Sequence, residues 1–372
     1  MKNQKGVFVY YAPDVIFSRI HLHRPYIEYP LSFSNDGYSS FLIVSRNMVK
    51  GNLKFNILEL FKSEYKLRGL GKLLNSYIYF VKLRPKIFVF FHLNAGIPIF
   101  YLLSKIFFMH TKFYIKLDWD GTVQSKTSSH VLNKFKGILF LFSAITRIKL
   151  IIENSCSRRT LLSYSFLKQK DLILLRNSAS LDFIAAPLKK VPYRDEESII
   201  LVVSRINKAK GGIDILIKAF SKMYKENPSW TINVVGPVED NDYYNYLRDL
   251  IHSLKLDSKI HFLGPKYDSD LKYEYLRSKI FCLPSLREGD PISRIEAIFF
   301  GIPILISSAG CSNDLLPYGA TVFKAGDADD LHCKLRLLTS SESLRRNAII
   351  KQKNFIKERR KIPSVLKGYD YE

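Results

Sequence analysis

The chain is poor in cysteine, with four in 372 residues, and holds only two tryptophans and four methionines. Cys156, Cys282, Cys311 and Cys333 form no CxxC pair and have no histidine at metal-ligand spacing, which argues against a zinc site and a disulfide framework. A reducing, cytosolic setting fits that usage. Acid is scarce too: 34 Asp and Glu stand against 57 Lys and Arg, a net charge of +23. That excess favours anionic partners by long-range attraction and leaves nucleic acid, phosphorylated substrates and anionic membrane open. The opening, MKNQKGVFVYYAPDV, shows neither the long apolar core nor the small-residue cleavage site of a signal peptide. The most apolar window, 87–109, is broken by His92, Asn94, Gly96, Pro98, Ser104 and Lys105, so it predicts strand, turn and buried helix rather than a membrane span. Low-complexity tracts and short-period repeats are missing as well.

What is present is enough chain for two domains of roughly 180 residues each. A hydrophobic fraction of 47% excludes global disorder. In the second half, β-rich runs at 198–206, 231–237, 259–265, 279–285 and 302–308 alternate with segments such as 212–225 and 243–256 that carry apolar residues at three and four spacing. Near-continuous apolar strands separated by helices predict a parallel sheet covered on both faces, with ligands beyond the carboxyl ends of the strands. The first half repeats the pattern at 6–12, 40–46, 86–93, 112–118, 149–154 and 171–177. Between the halves, PLKKVPYRDEES (187–198) reads as a linker. The fold class is therefore α/β: two Rossmann-like, doubly wound parallel-sheet domains facing a central cleft.

Two segments carry candidate chemistry. After the strand at 198–206, Arg205 and Lys210 stand just before Gly211, Gly212 and a helix. A glycine turn at a helix N-terminus with two cations beside it makes a diphosphate cradle, although a solvated basic loop has the same composition. The second segment is REGDPISRIEA (287–297). Glu288 precedes Gly289 and Pro291 at a strand's carboxyl end, and Glu296 follows on a helix among Ile292, Phe299 and Phe300. A ribose with vicinal hydroxyls suits the Glu296 carboxylate. The alternative reading is a structural acid favoured by the helix dipole at Glu296 and a turn carboxylate at Glu288.

Together these segments resemble glycosyltransferase family 4, retaining sugar transferases of the GT-B fold that use nucleotide-activated donors. VVSRINKAKGGIDILIKAF, INVVGP, IHFLGP and FCLPSLREGDPISRIEAIFFGIPILIS follow in the family's order, with Glu288 and Glu296 matching its two-glutamate motif. The resemblance implies an N-terminal acceptor-binding domain at 1–190, a C-terminal donor-binding domain at 191–355, and a segment at 356–372 that packs back on the first. It implies a catalytic set of Asp118, Glu288, Arg205 and Lys210. Arg205 and Lys210 would hold the donor diphosphate with Gly211, Glu288 the donor sugar, and Glu296 the ribose. Backbone N–H groups around Asp290 to Ile292, in the turn formed by Gly289 and Pro291, would add to the phosphate site. No metal and no other cofactor is then required, since the DWD at 118–120 lies outside the donor half.

The chain departs from the family pattern at several places. Asp118 falls where members often carry a histidine, so it is read as orienting the acceptor or acting as base, with Asp120 as substitute. Asp290 replaces an apolar residue, which bears on sugar choice. The N-terminal Gly-Gly loop is absent; His21, His23 and Arg24 stand there, with His21 and Arg24 read as acceptor contacts. Asn177 reads as a turn residue.

The basic, aromatic-rich segment 61–86 reads either as a membrane-facing amphipathic surface or as a core-facing helix with a solvated side. The implied activity is transfer of a sugar from a nucleotide diphosphate to a hydroxyl of a saccharide or lipid-linked saccharide in cell-surface glycan synthesis. The implied location is the cytoplasm, peripheral at the inner face of the membrane. A GT-B epimerase and a basic nucleic-acid- or membrane-binding protein are the competing readings, although no RNA-binding module is evident.

Overall fold

The computed structural model describes residues 5–17, 25–47, 55–59, 70–91, 96–117, 148–177 and 197–359. The chain divides into two compact units, one made chiefly of Met1–Arg176 and one of Asn177–Ile362. Of the stretch read as a linker, only Glu197 and Ser198 fall within the described residues, where they open a strand. Residues 360–372, most of the segment expected to pack back on the first unit, lie outside them.

In the first unit seven strands form one sheet: β1 (Val7–Phe17), β2 (Ser39–Asn47), β3 (Asn56–Glu59), β4 (Ile87–Phe91), β5 (Lys112–Lys116), β6 (Lys149–Ile152) and β7 (Leu172–Leu174). Their order is β3-β2-β1-β4-β5-β6-β7 and every pairing is parallel. Each strand predicted in this half is present. β3 was not anticipated, because it is four residues long and only partly buried, which leaves little periodicity to read. The helices are α1 (Pro25–Asn35), α2 (Leu70–Leu83), α3 (Ile97–Phe107) and α4 (Ser155–Leu162), the last capped by the Asn154 side chain at 2.7 Å from Ser157 N. Phe80 of α2 packs its ring against Phe88, Phe100 and Phe113, so α2 faces the core. Aromatic rings supply large buried area at low conformational cost, which explains the density of Phe in these strands. The helix predicted to be buried within 87–109 is α3, and it is buried on one face only: Ile97, Phe100 and Ser104 point inward while Ile99, Leu102, Leu103 and Ile106 are exposed.

In the second unit the strands are β8 (Glu197–Val203), β9 (Thr231–Val235), β10 (Ile260–Phe262), β11 (Ser278–Leu283), β12 (Ile304–Ser307) and β13 (Thr321–Phe323). They run parallel in the order β10-β9-β8-β11-β12-β13. β13, three residues long, was the strand missed here. The helices are α5 (Ile213–Tyr224), α6 (Asn241–Ser253), α7 (Asp268–Arg277), α8 (Ile292–Phe299), α9 (Ala328–Ser340) and α10 (Glu342–Arg359). α5 buries Ile213, Leu216, Ile217, Phe220 and Met223, the three-and-four stripe that predicted it. α10 packs on this unit through Phe355, whose ring meets Tyr318 edge-on at 5.3 Å.

Both sheets reverse direction of growth beside their first strand, between β1 and β4 and between β8 and β11. At such a switch point the loops leaving the carboxyl ends diverge to opposite faces and open a crevice for ligand. In the second unit those loops hold Lys210 and Glu288.

Candidate functional site

The loop after β8 is shaped by its own side chains. Asn207 Oδ1 accepts from Lys210 N at 2.9 Å, closing a turn that delivers Gly211 and Gly212 to the start of α5. Gly212 adopts φ +90, and a Cβ there would lie 1.9 Å from the carbonyl oxygen of Pro284 in the loop after β11. Only glycine allows that approach. Leu286 N donates to Lys210 O at 2.7 Å, so the two loops are stitched by backbone as well.

That stitching sets the central pair. Lys210 Nζ lies 3.0 and 2.8 Å from the two carboxylate oxygens of Glu288. Glu288 is 6% exposed and Lys210 31%, so the carboxylate sits at depth and the ammonium reaches toward solvent. From the other side, the loop after β12 supports the turn: a Cβ on Gly310, at φ +60, would lie 1.8 Å from Glu288 O. Three consecutive strands of the sheet thus fix one carboxylate.

Arg205 is also in this loop, but its Nη1 is held by Glu239, at 3.1 and 3.2 Å from the two oxygens. Asn207 Nδ2 donates to the same carboxylate at 2.8 Å. Glu239 therefore links the two predicted cations through Asn207. It was missed by sequence reasoning; the signal was the acid in GPVED directly after β9, the strand beside β8.

Asp290, Pro291 and Ile292 carry the chain from Glu288 into α8, and the Pro291 backbone is extended, as a helix-preceding residue should be. The Asp290 carboxylate accepts from Arg294 Nη2 at 2.7 Å and from Asn177 N at 2.9 Å, while Asn177 Nδ2 donates to Asp290 O at 2.8 Å. Asn177, read from sequence as a turn residue, is thus a clasp on the turn that leads into α8. Arg294 was not singled out at all. It is 3% exposed, its Nη1 reaches Ser312 Oγ at 3.3 Å, and its Nε has no partner among the described residues.

Glu296 is 3% exposed, and Tyr275 Oη donates to its Oε2 at 2.8 Å. Burial, and then the neighbouring carboxylate, hold the Tyr275 phenol well above its ordinary pKa, so it remains a donor throughout the physiological range. Tyr275 sits on α7, where its neighbour Glu274 pairs with Arg277 one turn on (3.1 Å) and ties the helix to Lys266 and to Asn233 of β9 (3.2 Å). The structure brings together Lys210, Gly211, Glu288, Gly289, Asp290, Pro291 and Ile292, with Arg205 one side chain removed. Asp118, Asp120, His21, His23 and Arg24 lie outside the described residues.

The fold defines a class. Solved glycosyltransferases of the GT-B architecture superpose along the whole chain: one from Rickettsia africae at TM-score 0.73, with 15% identity over 98% of this chain and all of that one, and HepE from Anabaena, in complex with UDP, at 0.70, with 12% identity over 97% of each. The sequence then narrows it, since residues 186–355 match the family described as Glycosyl transferases group 1. An uncharacterized glycosyltransferase of Haemophilus influenzae is 30% identical over 173 residues, which is 46% of each protein. The chain spans less than half the length of the curated relatives it matches.

Proposed function

We propose that the protein is a retaining glycosyltransferase that moves a sugar from a nucleoside diphosphate to a hydroxyl of a saccharide or lipid-linked saccharide in cell-surface glycan synthesis, at the inner face of the membrane. The observation that carries the reading is the Lys210–Glu288 pair, held at the switch point between β8 and β11 within the matching segment. The binding of UDP by the similarly folded HepE supports a nucleotide donor.

In this reading the anomeric carbon–oxygen bond to the diphosphate breaks, the diphosphate leaves with the electron pair, and the acceptor hydroxyl oxygen bonds to the sugar as its proton departs. Negative charge grows on the leaving oxygens, where Lys210 and Arg205 supply positive charge and the N–H groups from Asp290 to Ile292 supply oriented dipoles. Arg205 reaches the diphosphate by exchanging Glu239 for it. Glu288, released from part of its contact with Lys210, accepts from donor-sugar hydroxyls. Glu296 accepts from the ribose, with Tyr275 fixing its carboxylate. Asp118 orients the acceptor or takes its proton. The reading invokes no metal or other cofactor.

The test is melting temperature against UDP, GDP, ADP and dTDP, since a ligand at 100 times its dissociation constant adds about 2.7 kcal/mol. One nucleotide is expected to raise it and to identify the base. Lys210→Ala should abolish that rise, and Lys210→Ala and Glu296→Ala should each lower turnover by about tenfold or more, which is about 1.4 kcal/mol of barrier. No rise with any of the four at millimolar concentration would refute the donor site.

A further inference from the structure

The third helix of the first unit, α3, carries an apolar face that no described residue covers. At about 100° per residue, Ile99, Leu102, Leu103 and Ile106 fall within an arc of about 100°, roughly opposite the buried Ile97, Phe100 and Ser104. Ile106 is 67% exposed and Phe107 and Met109, at the helix end, are each 72% exposed. Ordinary surfaces scatter such residues singly; a continuous stripe of them marks a contact surface. α2 extends it. Tyr77 Oη donates to Leu103 O at 3.1 Å, bringing the two helices together, and Ile78 and Val81 of α2 are exposed as well.

The charge around this stripe has one sign. Residues 70–91 and 96–117 contain seven Lys or Arg and neither Asp nor Glu; one of the seven, Lys116, is buried against Glu153 and adds nothing to the surface. Where α3 ends, Thr111 Oγ1 donates to Pro85 O at 2.7 Å and Lys112 N to Lys86 O at 2.9 Å, so the turns before β4 and β5 lie side by side. This brings Arg84 and Lys86 alongside Lys105, His110 and Lys112. At this end of α3 lies a cavity of about 310 Å3 lined by Tyr101, Lys105, Met109, His110, Thr111, Lys112 and Phe113. The Lys105 ammonium is anchored at its rim by the carbonyls of Met109 (2.8 Å) and Thr111 (3.0 Å). Glu59, in β3, meets α2 through its backbone carbonyl, which accepts from Tyr79 Oη at 3.0 Å.

An apolar stripe rimmed by cations, with a basic cavity at its end, is complementary to one surface chemistry: hydrocarbon beneath a layer of phosphate. A soluble acidic protein would satisfy the rim but leave the stripe facing charge. We propose that α3, flanked by the exposed side of α2, is a docking surface for an anionic lipid bilayer, with Ile99, Leu102, Leu103, Ile106 and Phe107 entering the acyl boundary and the Lys105–His110–Lys112 cavity taking a lipid phosphate. The surface overlaps the basic segment 61–86 that the sequence suggested through the exposed side of α2, but it is centred on α3: residues 60–69 lie outside the described residues, and α2 spends Phe80 on the core. It rests on the membrane location proposed above but not on the donor site, which lies in the other unit, so vesicle binding and nucleotide binding can fail separately.

The test is cosedimentation of the full chain with vesicles of phosphatidylcholine alone and of phosphatidylcholine with about one third phosphatidylglycerol. The anionic vesicles are expected to bind at least about tenfold more protein. Leu102→Glu with Ile106→Glu, and separately Lys112→Glu, should each cut that binding by about tenfold, while Ile350→Glu, at an exposed apolar position on α10, should leave it unchanged. Unaltered far-UV circular dichroism and melting temperature show that the variants fold. Equal binding to both vesicles, no binding, or full binding by the variants overturns the proposal. So does a wild-type dimer that the double variant converts to monomer without any vesicle binding, which would assign the face to a second copy.

Discussion

A buried carboxylate is stable only if something meets it, and at Glu296 that is the Tyr275 hydroxyl, 2.8 Å away. Tyr275→Phe removes the donor and keeps the ring that stacks on Phe300 at 5.1 Å. The expected cost is about 1–3 kcal/mol in urea denaturation, accompanied by weaker nucleotide binding; unchanged binding with lowered stability would make Tyr275 purely structural. Gly212 is a second residue on which the site turns. With φ +90 and a carbonyl 1.9 Å from where a Cβ would stand, Gly212→Ala must push the loops after β8 and β11 apart. A loss of about 2 kcal/mol or more is expected, and the nucleotide-induced melting shift should vanish with it. The two glutamates and two cations were legible in sequence because motif spacing is local. Glu239 and Asn177 were not: Asn177 meets Asp290 across 113 residues, and Glu239 meets Arg205 across 34, a pairing that only the strand order creates.

Helix α7 shows how an element can be held by charge. Burial alone would raise the Glu274 carboxyl, but hydrogen bonds and attraction from Lys266 and Arg277 outweigh it and keep the pKa below the ordinary value. A depressed carboxyl contributes stability that is complete above its unfolded pKa and is lost as pH falls through the folded one. The melting temperature of the wild type should therefore drop more steeply than that of Glu274→Gln as pH is lowered below about 4.5. Parallel melting curves would show that the Lys266 and Arg277 contacts do not discriminate charge. At this scale the sequence was legible down to the three- and four-residue strands β6, β7, β10 and β12, and failed at β3 and β13, which are both short and only partly buried. It also misjudged α3, because an all-apolar helix predicts burial all round, and only the sheet beneath reveals that one face has no partner among the described residues.

The whole molecule carries a net charge of +23, so its folded state works against its own repulsion. Raising sodium chloride from about 20 to about 300 mM shortens the screening length several-fold, and the melting temperature should rise; a flat or falling curve would mean that the cations are already locally compensated. The order of assembly follows from the sheet. β8 begins the second unit and lies at its centre, yet its inner neighbour β11 starts some 75 residues later. The Lys210–Glu288 pair spans 78 residues. Closing so large a loop is entropically unfavourable until both neighbours of β8 are in place. During synthesis, then, the first half of this unit emerges with Lys210 in place and Glu288 still unmade. For that interval β8 offers an empty edge at the heart of the sheet, and this is when the unit is most exposed to strand pairing with another chain.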